Sequence, residues 1–386
     1  MPRPVHVFHL ASFSGNTGDG AMHDGAYRTR AEDFSFPLSY TRSEIREFIQ
    51  WGMRRFDDAF VAEVNRHDAL FVGGVSLFQL WRTDSLSGTY FDLPPEAFSR
   101  IRCPIVLYGV GCDATRGICP ETVNRVRRWM DRAMETDRVV LTLRNDGSKA
   151  LLEQALGSAY TDRMNTLPDG ALFAEPSVVD GTLGWGDAPY VVIQLAGDMP
   201  DVRYGKRPEV FVAAVAAEIE RLMADHPEHR CLLLPNVYSD LKLAAQCVEA
   251  LGDRLRRTRV AVGPCETGPE SWKFVYGLLR KAQAVLAMRF HANVVSVGQG
   301  VPVSGLSSHH KVQGFYREMG LEDRCISLVP EKLMEAVSAS FRQLNSDLEP
   351  STSALVRERQ RQVRNAERKK LKIVHSNLCE WLTKRL

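Results

Sequence analysis

Arg289 and His291 close an apolar run, Ala284-Val285-Leu286-Ala287, and open the most informative stretch of the chain, 287–315, AMRFHANVVSVGQGVPVSGLSSHHKVQGF. Arginine is a permanent cation whose planar fork matches a carboxylate or phosphate, and histidine exchanges a proton near neutral pH. With Phe290 turned into the packing, the two can share a side of the chain at a strand end. A small-residue helix follows, then Gly300-Val301-Pro302, a second apolar run, and Ser307-Ser308-His309-His310-Lys311. Two strand-to-helix junctions thus set cationic and titratable groups at neighbouring strand ends, the edge where open α/β sheets bind ligands. The set suits a small, doubly charged anion beside an acid or base. The plainer alternatives are a satisfied core histidine at 291 and a solvated helix start at 309–311. Cations at a helix start oppose its dipole, however, which hints at a bound anion.

Three further segments carry candidate chemistry. The loop Ser14-Gly15-Asn16-Thr17-Gly18-Asp19-Gly20 follows the first apolar run. It is neither a dinucleotide fingerprint nor a P-loop, and Asp19 would repel a phosphate. Contact with substrate hydroxyls, or work as a base, suits Asp19 better; the alternative is a Gly-rich turn with Asp19 as helix N-cap. Gly73-Gly74 and Tyr108-Gly109-Val110-Gly111 are Gly-rich strand ends, either tight turns or a wall that admits a flat sugar ring. Arg144 ends a strand and Ser148 opens a helix. Arg144 is either an anion-binding fork or half of a structural salt bridge to Asp146 or another carboxylate.

The elements that position these residues alternate between β-rich runs and amphipathic helices, which predicts parallel sheets with crossover helices. Strands are expected at 5–10, 69–72, 104–110 and 139–143, with helices at 43–66, 121–136 and 148–156. A second series begins after the Gly-, Asp- and Pro-containing stretch 181–189. Its strands are expected at 190–195, 231–234, 259–262, 284–287, 301–305 and 325–328, and its helices at 208–224, 240–251, 272–281, 292–297 and 311–319. The fold class expected is α/β, with two Rossmann-like domains, 1–180 and 189–330, facing a cleft, and C-terminal helices, 331–386, packed on the body.

A net charge of +2 over 386 residues argues neither for nor against a polyanionic partner. The eight cysteines form no CxxC pair, so reduced thiols of a cytoplasmic protein are expected rather than a zinc site. The N-terminus has too short an apolar core for a signal peptide, and no run reaches membrane-spanning length. Residues 351–386 hold ten Lys/Arg against three Glu. Val363, Ala366, Leu371, Val374, Leu378 and Trp381 approximate one helical face there, which predicts a long helix packed by its apolar stripe. The second reading is a surface drawn to anionic lipid or glycan, with peripheral attachment at the inner face of the membrane.

Taken in order, these segments resemble the polysaccharide pyruvyl transferases. That family's pattern is matched by Gly15–Asp19, Gly73-Gly74, Tyr108–Gly111, Arg144…Ser148, Pro168-Asp169, and Arg289/His291…Gly300–Pro302…Lys311…Phe315, spread over about 300 residues. Asn145 stands between Arg144 and Asp146, a departure from the family's Arg-Asp pair. The resemblance implies a GT-B glycosyltransferase-like fold, phosphoenolpyruvate as donor substrate with no cofactor, and a sugar diol as acceptor. It also implies donor contacts from Arg289 and His291, with Arg144 as a second cation.

That chemistry fits the residues. The donor's carboxylate and phosphate call for cations, with Arg144, Arg289, His309 and Lys311 as candidates. Ketal formation needs a proton on the methylene carbon, for which His291 is the candidate acid; Asp19 would orient or deprotonate a sugar hydroxyl. Asn16, His23 and Gly74 complete the expected acceptor side. No metal ligand set and no nucleic-acid partner is expected; the acceptor is a sugar or glycan, lipid-linked or free. Two other functions share the pattern: a nucleotide-sugar glycosyltransferase of the same fold, and a non-catalytic glycan- or anion-binding protein.

Overall fold

The computed structural model describes residues 3–179 and 183–386; of the expected domain junction, 180–182 lie outside the described residues. The chain divides into two compact units. The first comprises 1–13, 27–169 and 367–386, and the second 14–26 and 170–366. The sequence-based boundaries treated the chain as consecutive segments. In the structure, a piece of the N-terminal region belongs to the second unit and the last twenty residues belong to the first.

The sheet of the first unit has six parallel strands in the order Leu38–Glu44, Val5–Ala11, Ala69–Gly73, Ile105–Val110, Val139–Arg144, Asn165–Leu167. That of the second unit has the order Val260–Val262, Arg230–Leu233, Tyr190–Gln194, Ala284–Ala287, Val303–Ser307, Cys325–Ser327, again all parallel. In sequence rank this is 3-2-1-4-5-6, the doubly wound Rossmann order. Central strands such as Ala69–Gly73, Tyr190–Gln194 and Ala284–Ala287 are buried throughout. This explains why they read as unbroken apolar runs: helices cover both faces of a parallel sheet. The helix Pro120–Glu135 shows the covering rule. Proline opens it, and Val123, Val126, Trp129, Met130 and Ala133 form one buried face.

Two sequence expectations fail locally. The helix expected over 43–66 is instead the end of the strand Leu38–Glu44 followed by two short helices, Arg46–Ile49 and Asp58–Val64. Gly52 at φ +63 interrupts the segment, and Asp57 caps the second helix by accepting from the Ala59 and Phe60 N–H groups. The helix Thr17–Asp33 was not foreseen. Its Gly18, Gly20 and Gly25 weaken the helical signal, but each is pressed against a neighbour that a β-carbon would strike: His291, Trp272 and the Gly170 carbonyl.

The last helix, Pro350–Thr383, is as long as expected, but its buried stripe is rotated from the one read in the sequence. Gln360, Glu367, Leu371, His375, Leu378 and Leu382 are buried, whereas Ala366 is exposed. His375 is bonded through both ring nitrogens. His375 Nδ1 lies 2.7 Å from Asp33, its Nε2 lies 2.6 Å from the Tyr108 hydroxyl, and Arg368 grips Asp33 with two 2.8 Å bonds. Much of the helix's basic charge is likewise engaged, Arg359 with Asp323, Arg361 with Glu358 and Lys384 with Glu380. No helix among the described residues is long and apolar enough to cross a membrane.

Candidate active site

The strand order of the second unit reverses between Tyr190–Gln194 and Ala284–Ala287, and ligands of doubly wound sheets bind beyond the strand ends at that point. Gln194 ends the first of these strands, and Arg289 follows the second. Arg289 occupies the N-cap position of the helix Phe290–Gln299, so His291 lies in the first helical turn rather than on the strand. Phe290 packs edge-on against Phe315. Gln194 locks the junction: its Oε1 accepts from the Arg289 N–H at 2.7 Å, and its Nε2 donates to the Leu195 carbonyl at 2.7 Å.

Arg289 is ion-paired. Its guanidinium bonds Asp240 through Nε, at 3.1 Å, and through NH2, and lies 2.9 Å from Asp198. Asp240 is 1% exposed and also accepts from the Gly197, Asn236 and Val237 N–H groups. One buried carboxylate therefore ties two strand-to-helix loops to the arginine. Burial alone would lower the Arg289 pKa; Asp240 and Asp198 outweigh it and hold the group firmly protonated. Arg203, on the helix Pro200–Tyr204, shares Asp198 at 3.1 Å and donates to the Ser308 hydroxyl at 2.7 Å.

The Gly-Asn-Thr-Gly-Asp loop belongs to this same unit. Asn16, not Asp19, caps the helix Thr17–Asp33: its Oδ1 accepts from the Gly18 N–H at 3.0 Å, and its Nδ2 donates to Asp19 at 3.1 Å. The Thr17 hydroxyl donates to the Asn236 carbonyl at 3.1 Å, which fastens the loop to the Asp240 network. Gly18 lies directly on the His291 imidazole, since a β-carbon there would sit 2.1 Å from Nδ1. The sequence-predicted Asn16, Asp19, His23, Arg289, His291, His309 and Lys311 are thus all carried by the second unit. Asp19 and His23 are buried.

His309 is the N-cap of the helix His310–Glu318, and its Nδ1 accepts from the Lys311 N–H at 3.2 Å. The cap gives His309 a structural reason to stand at a helix start. His310 stacks on it with ring centroids 4.4 Å apart.

Gly74 and Arg144 lie in the first unit. Gly74 adopts φ +68, as a tight turn requires. Gly109, at φ +56, sits where the pairing between Ile105–Val110 and Val139–Arg144 shifts register. A β-carbon on Gly111 would lie 2.9 Å from the Arg144 guanidinium. Arg144 forms the structural salt bridge: it pairs with Asp146 at 2.8 Å and Asp169 at 3.4 Å, and all three side chains are buried. Asp146 also holds the Ser148 N–H at 3.2 Å and its hydroxyl. Asn145, the departure from the family pattern, accepts from the Asp169 N–H at 3.0 Å and so anchors Arg144's second partner.

Sequence reasoning missed Gln194, Asp198, Arg203 and Asp240. Gln194 had a readable signal, one amide ending an otherwise apolar strand, Tyr190–Gln194. The other three sit in loops or first helical turns, where Asp and Arg are commonplace.

The model of the family described as polysaccharide pyruvyl transferase matches residues 16–310, well over half of the chain. The chain belongs to that family and is an enzyme of that type. No curated protein matches it in sequence. Among solved structures it is similar to the S. aureus MnaA-UDP co-structure (10% identity, 89% of this chain and 90% of that one, TM-score 0.53). It is also similar to UDP-GlcNAc 2-epimerases from Methanocaldococcus jannaschii (12%, 92% and 99%, TM-score 0.52) and Neisseria meningitidis (10%, 94% and 99%, TM-score 0.51). These likenesses show the fold, two Rossmann-like units of the GT-B type.

Proposed function

We propose that this polysaccharide pyruvyl transferase moves the pyruvyl group of phosphoenolpyruvate onto two hydroxyls of one sugar residue, forming a cyclic ketal and releasing phosphate. The enol methylene takes a proton and becomes the methyl group, leaving an oxocarbenium carbon at C2. One sugar hydroxyl adds to that carbon. The second then displaces phosphate, and the two hydroxyl protons leave with phosphate and solvent. His291 is the acid that delivers the methylene proton, Arg289 and Lys311 hold the donor's negative charge, and Asp19 orients an acceptor hydroxyl. The observation that carries this reading is the seating of His291 in the first helical turn, two residues after Arg289, and against Gly18 of the family loop.

Arg144 takes a scaffolding role in this reading, because both carboxylates on its guanidinium are fully buried, whereas one of the two on Arg289, Asp198, is partly exposed. The eight cysteines stand as thiols outside any disulfide among the described residues, which suits a reducing, cytoplasmic setting where phosphoenolpyruvate is at hand. The test is phosphate release from phosphoenolpyruvate across a panel of sugar acceptors, with NMR of the ketal carbon in the product. His291→Ala should lower kcat by about 10²–10⁴-fold, the range for a positioned acid. A near-normal kcat with only a raised KM would remove His291 from that role. Stabilisation by a UDP-sugar, without turnover of phosphoenolpyruvate, would favour a nucleotide-sugar enzyme instead.

A further inference from the structure

The two carboxylates on Arg289 differ in kind. Asp240 is 1% exposed and bound by backbone N–H groups of two loops, a permanent partner. The Asp198 side chain is 37% exposed. It stands in the loop after Tyr190–Gln194, at the point where the strand order reverses. A single oxygen, Oδ1, receives Arg203 NH2 at 3.1 Å, Arg203 Nε at 3.2 Å and Arg289 NH2 at 2.9 Å. Arg203 is itself nearly buried, with a 5% exposed side chain, and its NH1 is aimed at the Ser308 hydroxyl. Two guanidiniums therefore converge on one carboxylate oxygen of a partly exposed side chain, and the Ser308 hydroxyl holds the far edge of one of them.

The backbone beside Asp198 is strained. Met199 adopts φ +50, ψ +52, a left-handed conformation that a non-glycine residue rarely takes, directly before Pro200.

We propose that Asp198 is a resident counter-anion filling an oxyanion subsite built by Arg203 and Arg289, with Ser308 orienting Arg203, and that a substrate carboxylate or phosphate binds by displacing it. This rests on the pyruvyl-transfer reading and deepens it by assigning Arg203 to the donor. With Asp240 fixed and Asp198 displaced, two arginines against one aspartate leave a net charge of +1. A carboxylate or phosphate oxygen would restore the balance. While Asp198 occupies the subsite, the apparent affinity for an external anion is reduced by the fraction of time the subsite stands open.

The test is calorimetric binding of inorganic phosphate, and separately of pyruvate, to the full chain carrying Asp198→Asn. The amide keeps an oxygen for Arg203 but removes the charge. One of the two anions should bind at least about 10-fold tighter than to the unaltered protein. A gain for phosphate assigns the subsite to the donor's phosphate, and a gain for pyruvate to its carboxylate. Adding Arg203→Met should erase the gain. Should the amide variant misfold, Asp198→Ser carries the same expectation. Unchanged or weaker affinity for both anions in a folded variant overturns the proposal, as does no heat with either protein. Failure of the unaltered protein to turn over phosphoenolpyruvate with any acceptor would overturn pyruvyl transfer alone, since the anion affinities are read independently of turnover.

Discussion

Replacing Gly18 by alanine sets two effects against each other. Gly18 is helical and outside the left-handed region, so alanine should favour the helix by roughly 1 kcal/mol. Against this, the new β-carbon would lie 2.1 Å from His291 Nδ1, 2.5 Å from Cγ and 2.6 Å from Cβ. These atoms include the root of the side chain, so turning the ring cannot clear the clash. Restoring a contact of about 3.5 Å means moving His291 or the loop by roughly 1 Å. Overpacking of this kind costs about 1–3 kcal/mol. The net destabilisation is therefore roughly 0–2 kcal/mol, a fall in Tm of at most about 8 °C for units of this size. The effect on rate is larger, because a displacement of about 1 Å at a reacting group costs on the order of 10²-fold. Thermal melts and phosphate release from phosphoenolpyruvate read both quantities on one sample. A raised Tm with an unchanged kcat would mean that helix propensity acts alone, and would refute the seating of His291 against the loop.

Other substitutions separate roles that sequence alone left merged. Arg144→Met should strip the buried Asp146 and Asp169 of their cation and destabilise the protein by about 3–5 kcal/mol, so that lost activity tracks lost secondary structure in circular dichroism melts. His309→Asn should keep activity by keeping a cap acceptor for the Lys311 N–H, whereas His309→Ala should cost about 1 kcal/mol; a large loss of kcat in the Asn variant would mean that the imidazole touches substrate. Burial pushes the His375 pKa down from 6.5 to about 4, and the hydrogen bond it donates to Asp33 offsets this only in part. The unfolded chain therefore takes up that proton first. The stability linked to His375, about 3 kcal/mol, is full above the unfolded pKa and is lost as pH falls toward the folded one. Melts on either side of that window should show the loss, and His375→Phe should flatten it.

Strand positions were legible because fully buried parallel strands are short and apolar: Ala284–Ala287 begins and ends where the sequence places it, and Tyr190–Gln194 differs by one residue. Helices with an apolar face, such as Pro120–Glu135, were equally plain. Thr17–Asp33 was not, because three of its residues are glycines selected by what they touch, and tertiary contact leaves no periodic trace. At the site, residue types pointed to Arg289, His291 and the Gly18 loop. Their counter-ions escaped, because a buried Asp240 and a solvated aspartate look alike in a sequence. The same limit left Arg144 with two equally good readings, and its pairing with the buried Asp146 and Asp169 shows only in the structure.

The helix Thr17–Asp33 serves both compact units: residues 17–26 belong to one and 27–33 to the other. Dissection of the chain must respect this. A C-terminal fragment cut in the 180s would keep Arg289, His291 and Asp240 yet lose the segment that lies on His291 and ties its Thr17 to Asn236. Supplying 14–26 as a separate peptide, or by fusion to the fragment, becomes the condition for studying that half of the enzyme by itself. For the same reason, chimaeras between family members should exchange this helix together with the second sheet rather than with the first.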